Sequence, residues 1–125
     1  MDTETKKIRP FINFSNHPAE KWDPVQTAAA LEYGSQIIDL PFPSVDPNAS
    51  AESLSLLAGE IMETILDYKP GAVMCQGEFG LCYSVIKRLR AKDVTVLHAC
   101  SERKVHMEGN IKTLQYDFVQ FREYE

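Results

Sequence analysis

One change of hydrophobic period constrains this chain more than any other feature in it. Ala72 to Cys75 is a short unbroken apolar run that fits a strand buried on both faces. The chain then turns through Gln76-Gly77-Glu78, and from Phe79 the apolar residues recur at helical spacing. Phe79, Cys82, Ile86 and Leu89 predict one buried stripe. Strand, glycine turn and amphipathic helix form the core of a βαβ unit. Free N–H groups at such a helix start sit at the positive end of its dipole and can hold an anion. Gly77 and Gly80 make neither a Walker loop nor a dinucleotide fingerprint, and Glu78 would repel a phosphate set directly on it. The alternative is a plain strand-to-helix turn in which Gly77 supplies an unusual backbone angle.

The other segments extend the same alternation. Residues 1–7 are polar and read as a frayed end. Ile8 to Phe14 predicts a first strand, with Pro10 tolerated near its start, and Ser15-Asn16-His17-Pro18 turns the chain. Asp23-Pro24 opens a helix whose buried side is Val25, Ala28 and Ala29 and whose end is Gly34. Ser35 to Leu40 is a second strand, stopped by Pro41-Phe42-Pro43, and the long loop 44–49 suits a role beyond connection. Ser50 or Ser53 caps the next helix, with Leu54, Leu57, Ala58, Ile61, Met62, Ile65 and Leu66 as its stripe. After the central βα unit, Val94 to Ala99 is a fourth strand. Lys104 to Glu108 and Ile111 to Tyr124, joined by Gly109-Asn110, form a hairpin. Leu114, Tyr116 and Phe118 alternate while Val119 and Phe121 fall out of phase, which predicts a bulge near Phe118. The fold class is α/β: a single Rossmann-like domain over 1–125, with a mostly parallel sheet, helices on both faces and a C-terminal β-hairpin.

Charge and cysteine usage narrow the function classes. A net charge of −5 argues against a binder of duplex DNA or long RNA, although a local pocket can still hold a small anion. The three cysteines, Cys75, Cys82 and Cys100, have no ligand-like spacing and read as reduced thiols without a disulfide or zinc framework. No apolar run reaches membrane-spanning length, and Met1-Asp2-Thr3-Glu4 does not open a signal peptide. The expectation is a cytoplasmic protein with no membrane partner, no cofactor and no metal.

In a sheet of this kind ligands collect beyond the carboxyl ends of the strands, where strand order reverses. With the first strand central, the loops carrying Ser15-Asn16-His17 and Gln76-Gly77-Glu78 flank that crevice. A further loop after the fourth strand is expected to carry Cys100-Ser101-Glu102-Arg103-Lys104. His17 suits a general base or phosphate ligand, or else a turn histidine bonded to its own backbone. Arg103 and Lys104 suit phosphate oxygens, or else form a solvated pair opening the hairpin. Ser101 orients a nucleophile or caps a turn. Lys87, Arg88 and Arg90 sit at a helix C-terminus, where positive charge favours the dipole, and His98 reads as a core or edge residue. No Ser-His-Asp elbow, catalytic carboxylate pair or metal-ligand cluster is legible.

Four segments carry a resemblance: Asn13 to His17, Gln76-Gly77-Glu78-Phe79, Ser101 to Lys104, and the closing Val119 to Glu125. Together they resemble the small CRISPR-associated proteins of type III systems, CARF-like ring nucleases that degrade the cyclic oligoadenylate second messenger and switch the antiviral response off. The resemblance implies a metal-independent phosphodiesterase, with the ribose 2′-hydroxyl attacking its own 3′-phosphate in line. It implies His17, Ser15 and Arg103 as catalytic residues and Asn16, Gln76, Gly77, Glu78, Phe79, Ser101 and Lys104 as substrate-binding ones. An adenine can stack on Phe42, Phe79 or Tyr83, or these rings belong to the core. A two-fold symmetric cyclic tetra-adenylate would match a homodimer. Two other readings stand beside it: a sensor or sponge that binds a cyclic nucleotide without chemistry, and a nucleotide-binding protein outside CRISPR biology.

Overall fold

Each of the three helices begins where a side chain satisfies a free backbone N–H. In the computed structural model, which describes residues 8–125, helix α1 (Pro24–Leu31) is capped by Asp23, whose carboxylate accepts from Gln26 N at 2.8 Å. Helix α2 (Ala51–Asp67) is capped by Ser50, whose hydroxyl accepts from Ser53 N at 3.0 Å. Helix α3 (Phe79–Ala91) is capped by the Glu78 carboxylate, which accepts from Gly80 N. The polar segment 1–7 and the expectations placed on it lie outside the described residues.

The strands are β1 (Phe11–Ser15), β2 (Ile37–Pro41), β3 (Ala72–Cys75), β4 (Val96–Glu108) and β5 (Ile111–Glu123). They form one sheet in the order β2-β1-β3-β4-β5, parallel except for β5. From β1 the chain moves to one side to make β2 and then to the other to make β3. The strand order therefore reverses between β1 and β3, as it must with β1 central.

β1 is buried throughout, so its alternating side chains feed two cores. Phe11 packs with Trp22, Ala30, Met74, Leu97, Phe118 and Phe121 on the α1 face. Ile12 and Phe14 pack with Val73, Cys75, Ala58, Ile65, Val85 and Leu89 beneath α2 and α3. The α/β class, the helices on both faces and the closing hairpin stand as the sequence predicts.

The structure corrects two helix phases. Helix α1 buries Gln26 and Ala30, while Val25 is 60% exposed and Ala28 faces solvent. Its run of small apolar residues offers too little contrast to fix a phase. Helix α3 buries Leu81, Cys82, Val85 and Leu89, and Phe79 is 92% exposed. Phe79 is the first helical residue, and it projects beyond the core that the later turns cover.

A third correction concerns the tail. Residues 100–104 are not a loop, because β4 runs unbroken from Val96 to Glu108. No glycine or proline interrupts that stretch, and β5 continues the ladder past it, with Ser101 opposite Phe118 and Arg103 opposite Tyr116. The predicted bulge is present. Cys100 pairs with Gln120 and Ser101 with Phe118, leaving Val119 as the extra residue. It lets Phe118 and Phe121 both turn to the α1 core, while Val119 remains exposed.

Gly77 is required for space and not for a positive φ. A Cβ there would lie 2.5 Å from the Phe42 ring, which itself stacks on Phe14 at 4.7 Å between centroids. Gly77→Ala should cost about 1–3 kcal/mol in urea unfolding, the usual range for overpacking. Gly59→Ala serves as its control, because a Cβ there meets nothing within 4 Å and alanine favours a helix interior by about 0.5–1 kcal/mol.

His98 lies against the Tyr124 ring, 4.8 Å between centroids. Burial, and then the nearby Arg122 guanidinium, hold its imidazole below the ordinary value of 6.5. The unfolded chain therefore binds that proton more readily than the folded one, and stability falls as pH drops through 6.5. Urea midpoints measured across that range should show the loss, and His98→Gln should flatten it.

Candidate functional site

The site is built from a buried asparagine. Asn13 lies in central β1, 1% exposed, in register with Asp39 of β2. Residues in register on adjacent strands point their side chains to the same face, so the two meet: Asn13 Nδ2 donates to Asp39 Oδ1 at 2.9 Å. The same amide donates to the His17 carbonyl at 2.9 Å, and the Asn13 carbonyl accepts from the Ser15 hydroxyl at 2.6 Å. Ser15 Oγ in turn accepts the His17 N–H at 3.2 Å. Trp22 Nε1 donates to the His17 carbonyl at 3.0 Å, and Asp39 accepts the Ala19 N–H. The turn after β1 is thus held from within by side chains, while the Asn16 and His17 side chains stay exposed above it.

Gln76 supports the site from β3. The β3–β4 ladder reaches only Met74 and Leu97. Beyond it, the Gln76 side-chain carbonyl accepts the Ala99 N–H, replacing the missing backbone partner. The β4–β5 arm then continues alone.

Between the turn after β1, the end of β3, the start of α1 and this arm lies a cleft of about 720 Å³. Of the residues singled out in the sequence, Ser15, Asn16, His17, Gln76, Gly77 and Ser101 line it. Glu78, Phe79, Arg103 and Lys104 are not among its lining residues. Glu78 is spent on the α3 cap and Phe79 points into solvent. Arg103 stands two rungs beyond Ser101 on the same strand face, opposite Tyr116. Lys104 is paired with Asp117 at 2.9 Å, the single ion pair among the described residues. That pairing raises the Lys104 pKa and lowers that of Asp117.

The α3 start is not an open anion site either. Gly80 N–H goes to the Glu78 carboxylate, which itself occupies the helix start. The stacking candidates also change. Phe42 is buried against Phe14, while Phe79 and Tyr83 lie outside the cleft and Tyr116 and Phe118 line it.

Four contributors were not legible as site residues. Lys21, in a 3-10 turn (Ala19–Lys21), brings an ammonium with no ion-pair partner among the described residues. Gln26 is a polar side chain buried in an otherwise apolar helix, and that mismatch was the available signal. Asp39 is found only through strand register, and Tyr116 only once β4 and β5 are seen to be continuous. No three His, Cys, Asp or Glu side chains gather as a metal would need among the described residues, and no helix there is long and apolar enough to cross a membrane.

The model of the uncharacterized protein MJ1673 family matches residues 9–122, and the chain belongs to that family. No curated protein and no solved structure matches it.

Removing a partner from a buried hydrogen-bonded group leaves the other unsatisfied. Asn13→Ala should cost about 1–3 kcal/mol on that ground, read from urea unfolding. Asp39→Asn, which keeps one acceptor oxygen for Asn13, should cost less than Asp39→Ala.

Proposed function

We propose that this member of the MJ1673 family binds a nucleotide phosphodiester in the cleft and opens it, acting as a cytoplasmic type III CRISPR-associated ring nuclease on a cyclic oligoadenylate. The observation that carries the reading is the convergence of Ser15, Asn16, His17, Gln76, Ser101 and Lys21 on one cleft at the β1/β3 switch. That is where open α/β sheets take their ligands. Amide and hydroxyl groups suit the edge of a base or a ribose, and the exposed Tyr116 ring offers it a stacking face.

In the proposed reaction the ribose 2′-oxygen attacks the adjacent phosphorus as the bond from phosphorus to the 5′-oxygen breaks. The products carry a 2′,3′-cyclic phosphate and a 5′-hydroxyl. The His17 imidazole takes the proton of the attacking hydroxyl or returns one to the leaving oxygen. Lys21 takes the place first given to Lys104, offsetting charge on the phosphate oxygens. Ser15 serves through position, since its hydroxyl is bonded to Asn13. Arg103, outside the cleft lining and two rungs along the arm from Ser101, is kept for a ligand larger than the cleft.

Size favours two copies. A cleft of about 720 Å³ suits one drug-sized ligand, and a ring of four nucleotides exceeds it. Val105, Met107, Leu114 and Tyr116 share the cleft-side face of the arm and are all exposed. A second copy related by a two-fold axis across that face would give the ring two matching half-sites.

A sensor that binds without cleaving is the second reading. It is favoured by the Ser15 hydroxyl being engaged, and by the Asp23 carboxylate that shares the cleft with Lys21.

Cyclic tri-, tetra- and hexa-adenylate should each be incubated with the protein, with and without chelator, and the products resolved by chromatography. Linear fragments ending in 2′,3′-cyclic phosphate are expected from at least one ring, with chelator present. His17→Ala should slow cleavage by about 100- to 10,000-fold, the usual worth of a positioned acid or base. Lys104→Ala should leave the rate unchanged. Intact ligand bound to the protein would make it a sensor, and neither binding nor cleavage would overturn the proposal.

A further inference from the structure

Behind the cleft, on the face covered by α2 and α3, two buried thiols meet. The sulfurs of Cys75 and Cys82 lie 3.5 Å apart. The contact follows from the period change at the centre of the chain: Cys75 ends β3, and Cys82 sits in the first turn of α3 as it folds back over that strand. The Cys75 carbonyl closes the group: it lies 3.5 Å from the Cys82 sulfur and accepts the Tyr124 hydroxyl at 3.0 Å.

Hydrogen bonds to a sulfur favour its thiolate, as does a helix N-terminal turn. The hydrogen bond with Cys75 holds the Cys82 thiol below its ordinary range, against the opposing effect of burial. The same bond and deeper burial hold Cys75 above it. At this distance one sulfur can attack and the other can resolve. Cys100 stands apart, half-buried on β4, with His98 Nδ1 at 4.0 Å.

We infer that Cys75 and Cys82 form an oxidisable pair that closes to a disulfide when the protein meets hydrogen peroxide. The Cys82 thiolate attacks one peroxide oxygen, the O–O bond breaks, and a sulfenic acid forms with release of hydroxide. The Cys75 sulfur gives up its proton and attacks the Cys82 sulfur, forming the S–S bond and expelling the second oxygen as hydroxide. The two thiol protons convert both hydroxides to water. Two thiols lose two electrons and one peroxide gains them.

Closure asks for a short movement, from 3.5 Å to the bonded distance of about 2.0 Å. The bridge encloses the turn that carries Gln76 and Gly77, both of which line the cleft. Oxidation of this pair is thereby coupled to the wall of the candidate site, whatever ligand that site takes.

The test uses the whole chain. Protein is treated with hydrogen peroxide under native conditions, then denatured, alkylated, cleaved after glutamate, lysine and arginine, and weighed by mass spectrometry. Cleavage after Glu78 separates Cys75 from Cys82, and cleavage after Lys87 separates Cys82 from Cys100, so a bridge appears as two identifiable linked peptides. The expected result is loss of two of the three alkylatable thiols, with Cys75 linked to Cys82, Cys100 alkylated, and all three thiols recovered by dithiothreitol. In Cys75→Ser, dimedone should capture a sulfenic acid at Cys82. Three alkylated thiols after peroxide, oxidation confined to Cys100, or bridges between molecules would each overturn the inference.

Discussion

The hydrogen bond between Asn13 and Asp39 is the constraint on which the site depends. It joins two neighbouring strands at the end where their loops emerge, and it occupies a position that a purely structural β1 would give to an apolar residue. A buried amide is costly unless its groups are matched. Here the carbonyl takes the Ser15 hydroxyl, and the NH₂ group serves Asp39 and the His17 carbonyl. The turn that presents Asn16 and His17 is thereby fixed by the sheet itself. A rigid scaffold beneath an exposed polar loop is the arrangement that binding and catalysis both favour.

The second organising element is the departure of β4 from the parallel sheet. Once β3 ends, Gln76 bonds Ala99 and the strand continues with β5 as its only neighbour. A two-stranded ribbon is marginal by itself in water, so its anchoring matters. The bulge at Val119 supplies that anchor by turning both Phe118 and Phe121 into the α1 core. Phe118 also lines the far wall of the cleft, so the anchor of the arm is part of the site.

Much of this was legible in the sequence because hydrophobic period and turn chemistry are local signals. The order of elements, the Asp23 and Ser50 caps, the α2 stripe and the bulge near Phe118 all follow from residues within a few positions of one another. The convergence of the Ser15-Asn16-His17 turn with Gln76 and Gly77 followed from one topological rule. Other features were hidden because their causes are non-local. Phe79 fits a helical stripe by spacing, but no neighbour covers it. The segment 100–104 looks like a loop until its partner strand is seen to continue. Lys104 is a free cation in the sequence and a paired one in the fold. Asp39 and Gln26 become site residues only through register and packing.

The central claim is that the cleft at the β1/β3 switch is where a nucleotide binds. Amide NMR of labelled protein titrated with cyclic tetra-adenylate tests it directly, since each residue reports its own environment. The account predicts shifts concentrated at Ser15 to His17, Gln76, Gly77 and Ser101. Shifts centred instead on the cavity at the opposite strand ends, around Arg9, Tyr33 and Lys92, or no shifts at saturating ligand, would contradict it.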